Sequence, residues 1–195
     1  HKEVAKDIMD KAITLVKNTK NQLPITPQTH KRIMLYTIEN GGFTPNKMDK
    51  ATLQDRVKAE LEAQGFEVDV FDNSAGLNGK QLLASTPVKE FVSKYDAVML
   101  FISVTGFSTS NVRRITWNLP MGPEIPWYVT ELPTVCVSVH NPFHLIDVPM
   151  VPTYINSYSD NDEAIHQVIQ KIMGKSEFKG ISPVDAFCGA WDTRL

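Results

Sequence analysis

A parallel-sheet α/β fold is predicted by three features of the sequence. Short apolar runs of strand length recur along the chain, amphipathic helical segments alternate with them, and glycine or polar loops mark their joins. Together they predict a three-layer α/β/α sandwich around a mostly parallel sheet of about five strands. The whole of residues 1–195 reads as one such domain, because nothing in the composition marks a second core.

The elements follow in order. Val4, Ile8, Ala12, Leu15 and Val16 recur at helical spacing and predict a first helix that ends before Asn18-Thr19-Lys20-Asn21. A loop with Pro24 and Pro27 leads to the apolar run Arg32–Thr37, a buried strand that opens into Glu39-Asn40-Gly41-Gly42. Leu53, Val57 and Leu61 lie four apart on a helix that stops at Gly65. Phe66–Phe71 alternates apolar and acidic residues, the pattern of a strand with one wet face near a sheet edge. Thr86-Pro87 supplies an N-cap and a first-turn proline for a helix through Phe91 and Val92. Ala97–Ile102 is apolar on both faces, a third strand. A short helix is predicted around Glu124–Leu132, a fourth strand at Thr134–Val139 and a fifth at Pro152–Asn156. Asp160 with Glu163 resembles a capping box opening a helix through Ile165, Val168, Ile169 and Ile172. Residues 180–195 have no clear period and read as an extended tail.

Composition narrows the function. Hydrophobic residues make up 42% and charged residues 22%, ordinary values for a water-exposed globular chain, and the net charge is −2. Nucleic acid is excluded as a main partner, since phosphate neutralisation needs a concentrated basic face and Arg113-Arg114 is too small a patch. No apolar stretch reaches the ~18 residues of a membrane span. Cys136 sits in an apolar run and reads as a buried thiol, while Cys188 lies in the tail; their number and spacing do not form a disulfide framework. The chain opens on His1 rather than Met and runs straight into an amphipathic segment, so it is expected to be part of a longer protein whose compartment the missing part decides.

Ligands of open parallel sheets bind beyond the carboxyl ends of the strands. Three polar loops leave strands there: Glu39–Lys47, Val104–Met121 and His140–Val148. The middle loop is long for a connection in a compact domain and carries Trp117 and Met121, with Trp127 following, which favours a contact loop over a solvated excursion. Ser108, Asn111, Arg113, His140 and Asn141 are the candidates for polar contacts, from loop position and donor chemistry. Thr105–Ser110 has some likeness to a phosphate-cradling loop, which keeps open a stand-alone flavodoxin-like module binding a nucleotide or flavin. Against it, the segment leads into no convincing helix and follows the third strand rather than the first. No cofactor is expected. His140 and His144 are four apart, but Pro142 disfavours the helix that would align them on a metal. Glu124 at a helix start is stabilised as an anion, which suits capping rather than general-acid work. Neither a nucleophile elbow nor a His-Glu-x-x-His motif occurs, and no two carboxylates are paired by spacing.

Several segments resemble one known family. Ala12–Asn18, Leu23-Pro24-Ile25 and Arg32–Leu35 resemble the start of the second domain of glycoside hydrolase family 3. Pro120–Trp127, Asn141–Leu145 and the ending Ala186–Leu195 are similar to its bacterial β-N-acetylhexosaminidase branch. The resemblance spans nearly the whole chain in order. It implies an absent N-terminal (β/α)8 barrel, with residues 1–22 as the lead-in helix and linker from it. In that branch the Asp nucleophile and a His-based acid/base dyad belong to the barrel, and no Lys-His-Phe-Pro-Gly-type segment occurs here. The implied role is therefore an accessory domain without catalytic residues, partnered by the barrel and an N-acetylglucosaminide substrate. A parent glycosidase with an inactive isolated chain is the expectation.

Overall fold

The computed structural model describes residues 2–40, 51–71, 88–105, 114–115, 117 and 125–189. Six strands form one sheet: β1 (Thr14–Asn18), β2 (Arg32–Asn40), β3 (Glu67–Val70), β4 (Ala97–Val104), β5 (Thr134–Ser138) and β6 (Thr153–Asn156), in the order β1-β6-β5-β4-β2-β3. All neighbours are parallel except β1 and β6. Helices α1 (Lys2–Ala12), α2 (Leu53–Ala63), α3 (Val88–Lys94) and α4 (Asp162–Ile172) complete the layers. The predicted α/β sandwich with a mostly parallel sheet is the observed architecture.

The alternation of side chains along each strand splits the core in two. On one face Ile33, Leu35, Met99, Val135, Val137 and Ile155 pack under α2 and α4. These helices contribute Leu53, Val57 and Leu61, and Ile165, Val168, Ile169 and Ile172, at the spacings read from the sequence. On the other face Met34, Tyr36, Leu100, Cys136 and Tyr154 lie under Phe91 of α3, the turns containing Tyr128 and Leu145, and Phe187 of the tail. The alternating segment Phe66–Phe71 gives β3, which is an edge strand as its one wet face predicts. The helix before it ends at Gly65, whose φ of 98° is open to glycine at little cost.

Three expectations are corrected. The first helix stops at Ala12, and Leu15 and Val16 belong to β1, which runs antiparallel to β6 with Thr14 opposite Asn156. Strand pairing there satisfies backbone groups along β6 that a helix would leave bare, and it overrides a helical spacing carried by few residues. The sheet accordingly has six strands. Second, α4 is capped by Asn161 rather than Asp160: Asn161 has the extended backbone of an N-cap and its side chain accepts from the Ala164 amide at 2.8 Å. Glu163 instead accepts from Gln167 at 2.7 Å. Third, the helix expected around 124–132 is a single 3-10 turn over Trp127–Thr130 among the described residues. The N-cap expected at Thr86 lies outside the described residues.

Two polar ties brace the ends. At the amino edge Asp96 accepts from the Arg32 amide at 2.8 Å and from its guanidinium at 2.6 and 3.2 Å, joining β2 to the start of β4. The Arg32 hydrogen bonds hold the Asp96 carboxyl below the ordinary carboxylate range. Lys171, 1% exposed, donates to Asp10 at 2.8 Å, Ser176 at 3.0 Å and the Glu177 carbonyl, so all three of its protons are used. That ammonium ties α1 to α4. The described part of the tail, 180–189, has no helix or strand, and Gly180 crosses the start of β1 so closely that a Cβ would lie 2.4 Å from Thr14 Oγ1.

Candidate functional site

The carboxyl ends of β2, β4, β5 and β6 share one edge with the N-termini of α2 and α4. Thr52 fixes the start of α2 through a capping box, accepting from the Asp55 amide at 3.1 Å while Asp55 accepts from the Thr52 amide at 3.2 Å. The chain passes from β2 to β3 on one side and then to β4 on the other, so the strand order reverses between β2 and β4. That reversal opens the crevice in which such sheets bind ligands. Glu39 and Thr105 border it. The connections 41–50 and 106–113 that leave it lie outside the described residues, whereas the His140–Val148 loop is described throughout.

Two ionic clusters stand at this edge. In the first, Arg56 of α2 reaches across to Asp160, by its carbonyl and by its carboxylate at 3.2 Å, and to Asp162 at 3.1 Å. His140 Nε2 lies 3.6 Å from the same Asp160 carboxylate, with the imidazole 30% exposed. In the second, Asp147 is almost wholly buried and gathers the Arg114 guanidinium, the Ile115 amide at 3.2 Å and His144 Nδ1 at 3.2 Å. A carboxylate only accepts, so Nδ1 of His144 carries the proton. Both clusters are charge-paired and hydrogen-bonded, an arrangement that holds loops in place and presents polar edges.

The sequence-derived candidates divide into two groups. His140 and Asn141 stand together at the edge. His140 presents its imidazole to Asp160, and Asn141 turns the loop by accepting from Ser138 Oγ at 2.6 Å and from the Phe143 amide at 3.3 Å. Ser108, Asn111 and Arg113 lie outside the described residues, as do Met121, Glu124 and the 106–110 segment considered for phosphate. Trp117 and Trp127 pack on the core rather than standing free, Trp127 with its ring 5.2 Å from that of Phe91. His144 is buried in its 3-10 turn and does not pair with His140 on a common face. Among the described residues no group of three His, Cys, Asp or Glu could hold a metal. Both cysteines are free, and burial pushes the Cys136 thiol well above its ordinary pKa.

Sequence reasoning missed Arg56, Asp147 and Asp160 as parts of this edge. Arg56 lies on the polar side of an ordinary helix, and its partners are about a hundred residues away, so no local pattern marks it.

No protein-family model matches the chain. A curated β-N-acetylglucosaminidase/β-glucosidase of Cellulomonas fimi is 36% identical over all 195 residues, which span 34% of that protein. The solved β-glucoside phosphorylase BglX is 35% identical, with a TM-score of 0.82 over the whole chain and 33% of its own length. The chain is a homologue of the C-terminal part of glycoside hydrolase family 3 enzymes. A family 3 β-N-acetylglucosaminidase from Paenibacillus sp. str. FPU-7 shares the fold at 15% identity, with a TM-score of 0.63 over 94% of the chain and 32% of its own. This family 3 homologue thus spans about a third of the length of the relatives it matches. Among its described residues no helix is long and apolar enough to cross a membrane.

Proposed function

We propose that the chain is the accessory C-terminal domain of a family 3 β-N-acetylglucosaminidase, docked on a catalytic (β/α)8 barrel and shaping the sugar site with its carboxyl-edge loops. The observation that carries this is the 36% identity over the full 195 residues to a protein named for that activity, three times as long. Two features support docking. Val4 and Ile8, one turn apart on α1, are 61% and 55% exposed, an apolar stripe turned away from its own core. The polar edge with His140 and Asn141 is braced by the Arg56–Asp160 and Arg114–Asp147 ion pairs and by the buried His144–Asp147 hydrogen bond, which suits loops that must hold a position over a ligand. In this reading Ser108, Asn111, Arg113, His140 and Asn141 supply hydrogen bonds to sugar or barrel, and the barrel supplies nucleophile and acid/base.

The test is hydrolysis of a chromogenic N-acetylglucosaminide by this chain alone and by the full parent protein. Turnover by the parent and none by the chain is expected. Appreciable turnover by the chain alone, or a parent inactive on this substrate, overturns the reading.

A second reading is favoured by the 35% identity to a β-glucoside phosphorylase. Here the parent transfers the glycosyl group to inorganic phosphate instead of water. A parent whose release of chromophore from a β-glucoside depends on added phosphate, with sugar 1-phosphate as product, identifies this case.

A further inference from the structure

The face of the sheet that carries Tyr154 holds buried polar atoms with no protein group to answer them. Alternate residues of a strand share a face, so Tyr154 and Asn156 of β6 point the same way as Cys136 and Ser138 of β5. Their register makes Cys136 the neighbour of Tyr154, and Ser138 the neighbour of Asn156. Asn156 is 1% exposed, and neither its amide nitrogen nor its carbonyl oxygen has a hydrogen-bond partner among the described residues. The Tyr154 hydroxyl is buried and unpartnered in the same way. Ser138 gives its one proton to the Asn141 carbonyl at 2.6 Å and keeps only lone pairs, so it has no proton to offer Asn156 Oδ1. Ser138 is the side chain that stands towards the Tyr154 hydroxyl as a hydrogen-bond partner and Asp147 acts on it only through its charge, yet the Tyr154–Ser138 approach does not close into a well-formed hydrogen bond. These groups therefore sit together beneath the loop that carries His140, Asn141 and Asp147.

An amide has two donors and a two-lone-pair acceptor, and native proteins rarely leave such groups bare when buried. Tyr154, Asn156 and Ser138 are themselves closed to solvent, which excludes a sugar and leaves water as the smallest group able to answer their polar atoms. We propose that Asn156, Tyr154 and Ser138 form a binding site for ordered water under the His140–Val148 loop. The water accepts from Asn156 Nδ2 and from the Tyr154 hydroxyl, and donates to Asn156 Oδ1 and to the free lone pairs of Ser138 Oγ. It belongs to the structure of the edge, since it joins the end of β6 to the residue that fastens Asn141.

Two measurements on this chain test the site. A crystal structure that shows ordered solvent is expected to contain a density peak about 3 Å from an Asn156 side-chain atom and from the Tyr154 or Ser138 hydroxyl. A protein group in that space, or a dry contact, overturns the proposal. Asn156→Leu replaces the amide with an apolar group of similar size. If water satisfies Asn156, the variant loses those bonds and its Tm falls by roughly 3–6 °C. If the amide is bare, the same change removes two unsatisfied atoms and Tm rises, which also overturns the proposal. Should the variant not fold, the density of the unaltered chain decides alone.

Discussion

One face of the sheet lies under α2 and α4, with α1 packed against α4, and is aliphatic almost throughout; the other lies under α3, two 3-10 turns and the tail, and carries Tyr36, Tyr128, Tyr154 and Cys136. The helical face uses eleven-residue helices whose apolar spacing matches the sheet they cover. The loop-covered face gains aromatic contacts, such as Tyr36 on Phe71 at 5.0 Å, but holds Tyr154 and Asn156 without full hydrogen bonding. The contrast assigns stability mainly to the first face and adaptable polar chemistry to the second. The ionic clusters of the carboxyl edge divide in the same way: Arg56 works from α2, while His144 and Asp147 lie within a turn of the loop-covered side.

The most direct way to break this contrast is to cut matched cavities in the two faces. Ile169, wholly buried in the middle of α4, is held by regular helix on both sides. Ile169→Ala is expected to cost about 4 kcal/mol, because a helix packed on a sheet collapses little around a cavity. Leu145, 3% exposed in a 3-10 turn, has a shorter and less regular frame. Leu145→Ala is expected to cost about 2 kcal/mol, since the turn can settle into the space. Denaturant unfolding of both variants gives the two numbers. Equal costs would show that the turns are as rigid as the helices and would remove the basis of the contrast.

A second effect concerns the ion pair that fastens α1 to the helical face. Asp10→Ala leaves the Lys171 ammonium buried with two neutral acceptors, at an expected cost of about 3 kcal/mol. Asp10→Leu combined with Lys171→Met is expected to recover most of that loss, because the pair then leaves no buried charge. The same pair sets a pH dependence. The Lys171 hydrogen bond lowers the Asp10 pKa, and Arg32 and Lys94 do the same for Asp96 and Asp69. Each carboxylate therefore binds its proton less readily folded than unfolded. Their stabilisation is complete above the ordinary carboxylate pKa of about 4 and is lost as pH falls through the lower folded values. Thermal unfolding between pH 6 and pH 2.5 should show Tm level at first and then falling below about pH 4, with a shallower fall in the Asp10 variants. A Tm that holds steady down to pH 2.5 would show these pairs contribute nothing.

The helical face was legible in the sequence because both of its periods are long and regular. Leu53, Val57 and Leu61 announce α2, Ile165 to Ile172 announce α4, and the apolar runs of β2, β4 and β5 have no competing pattern. The acidic alternation of β3 even gave its place at the edge. Leu15 and Val16 were ambiguous, since five apolar residues in thirteen fit a helix while the pairing with β6 that decides otherwise lies about 140 residues away. Asn161 was hidden by Asp160, one residue earlier and equally able to cap. At the candidate site, the place of His140 and Asn141 on the carboxyl edge could be read from loop position alone. Asp147, Arg56 and Asn156 could not, because their importance comes from burial and partners that only tertiary structure brings together.

The smallest expected effect tests the outer surface of the helical layer. Val4 and Ile8 contribute little to the fold of this chain, being more than half exposed, so Ile8→Asp should change its stability by no more than ~0.5 kcal/mol. In the parent protein the same residue is proposed to face the barrel, where a buried, unpaired carboxylate is costly. The expected outcome is an unchanged unfolding midpoint for the chain alone, together with a lowered midpoint or weakened activity for the parent. A substantial loss in the isolated chain would mean that α1 is more deeply packed than its exposure implies. No effect in either protein would free α1 from the docking surface and leave the carboxyl-edge loops to carry the contact, which would move the interface from the helical side of the sheet to its edge.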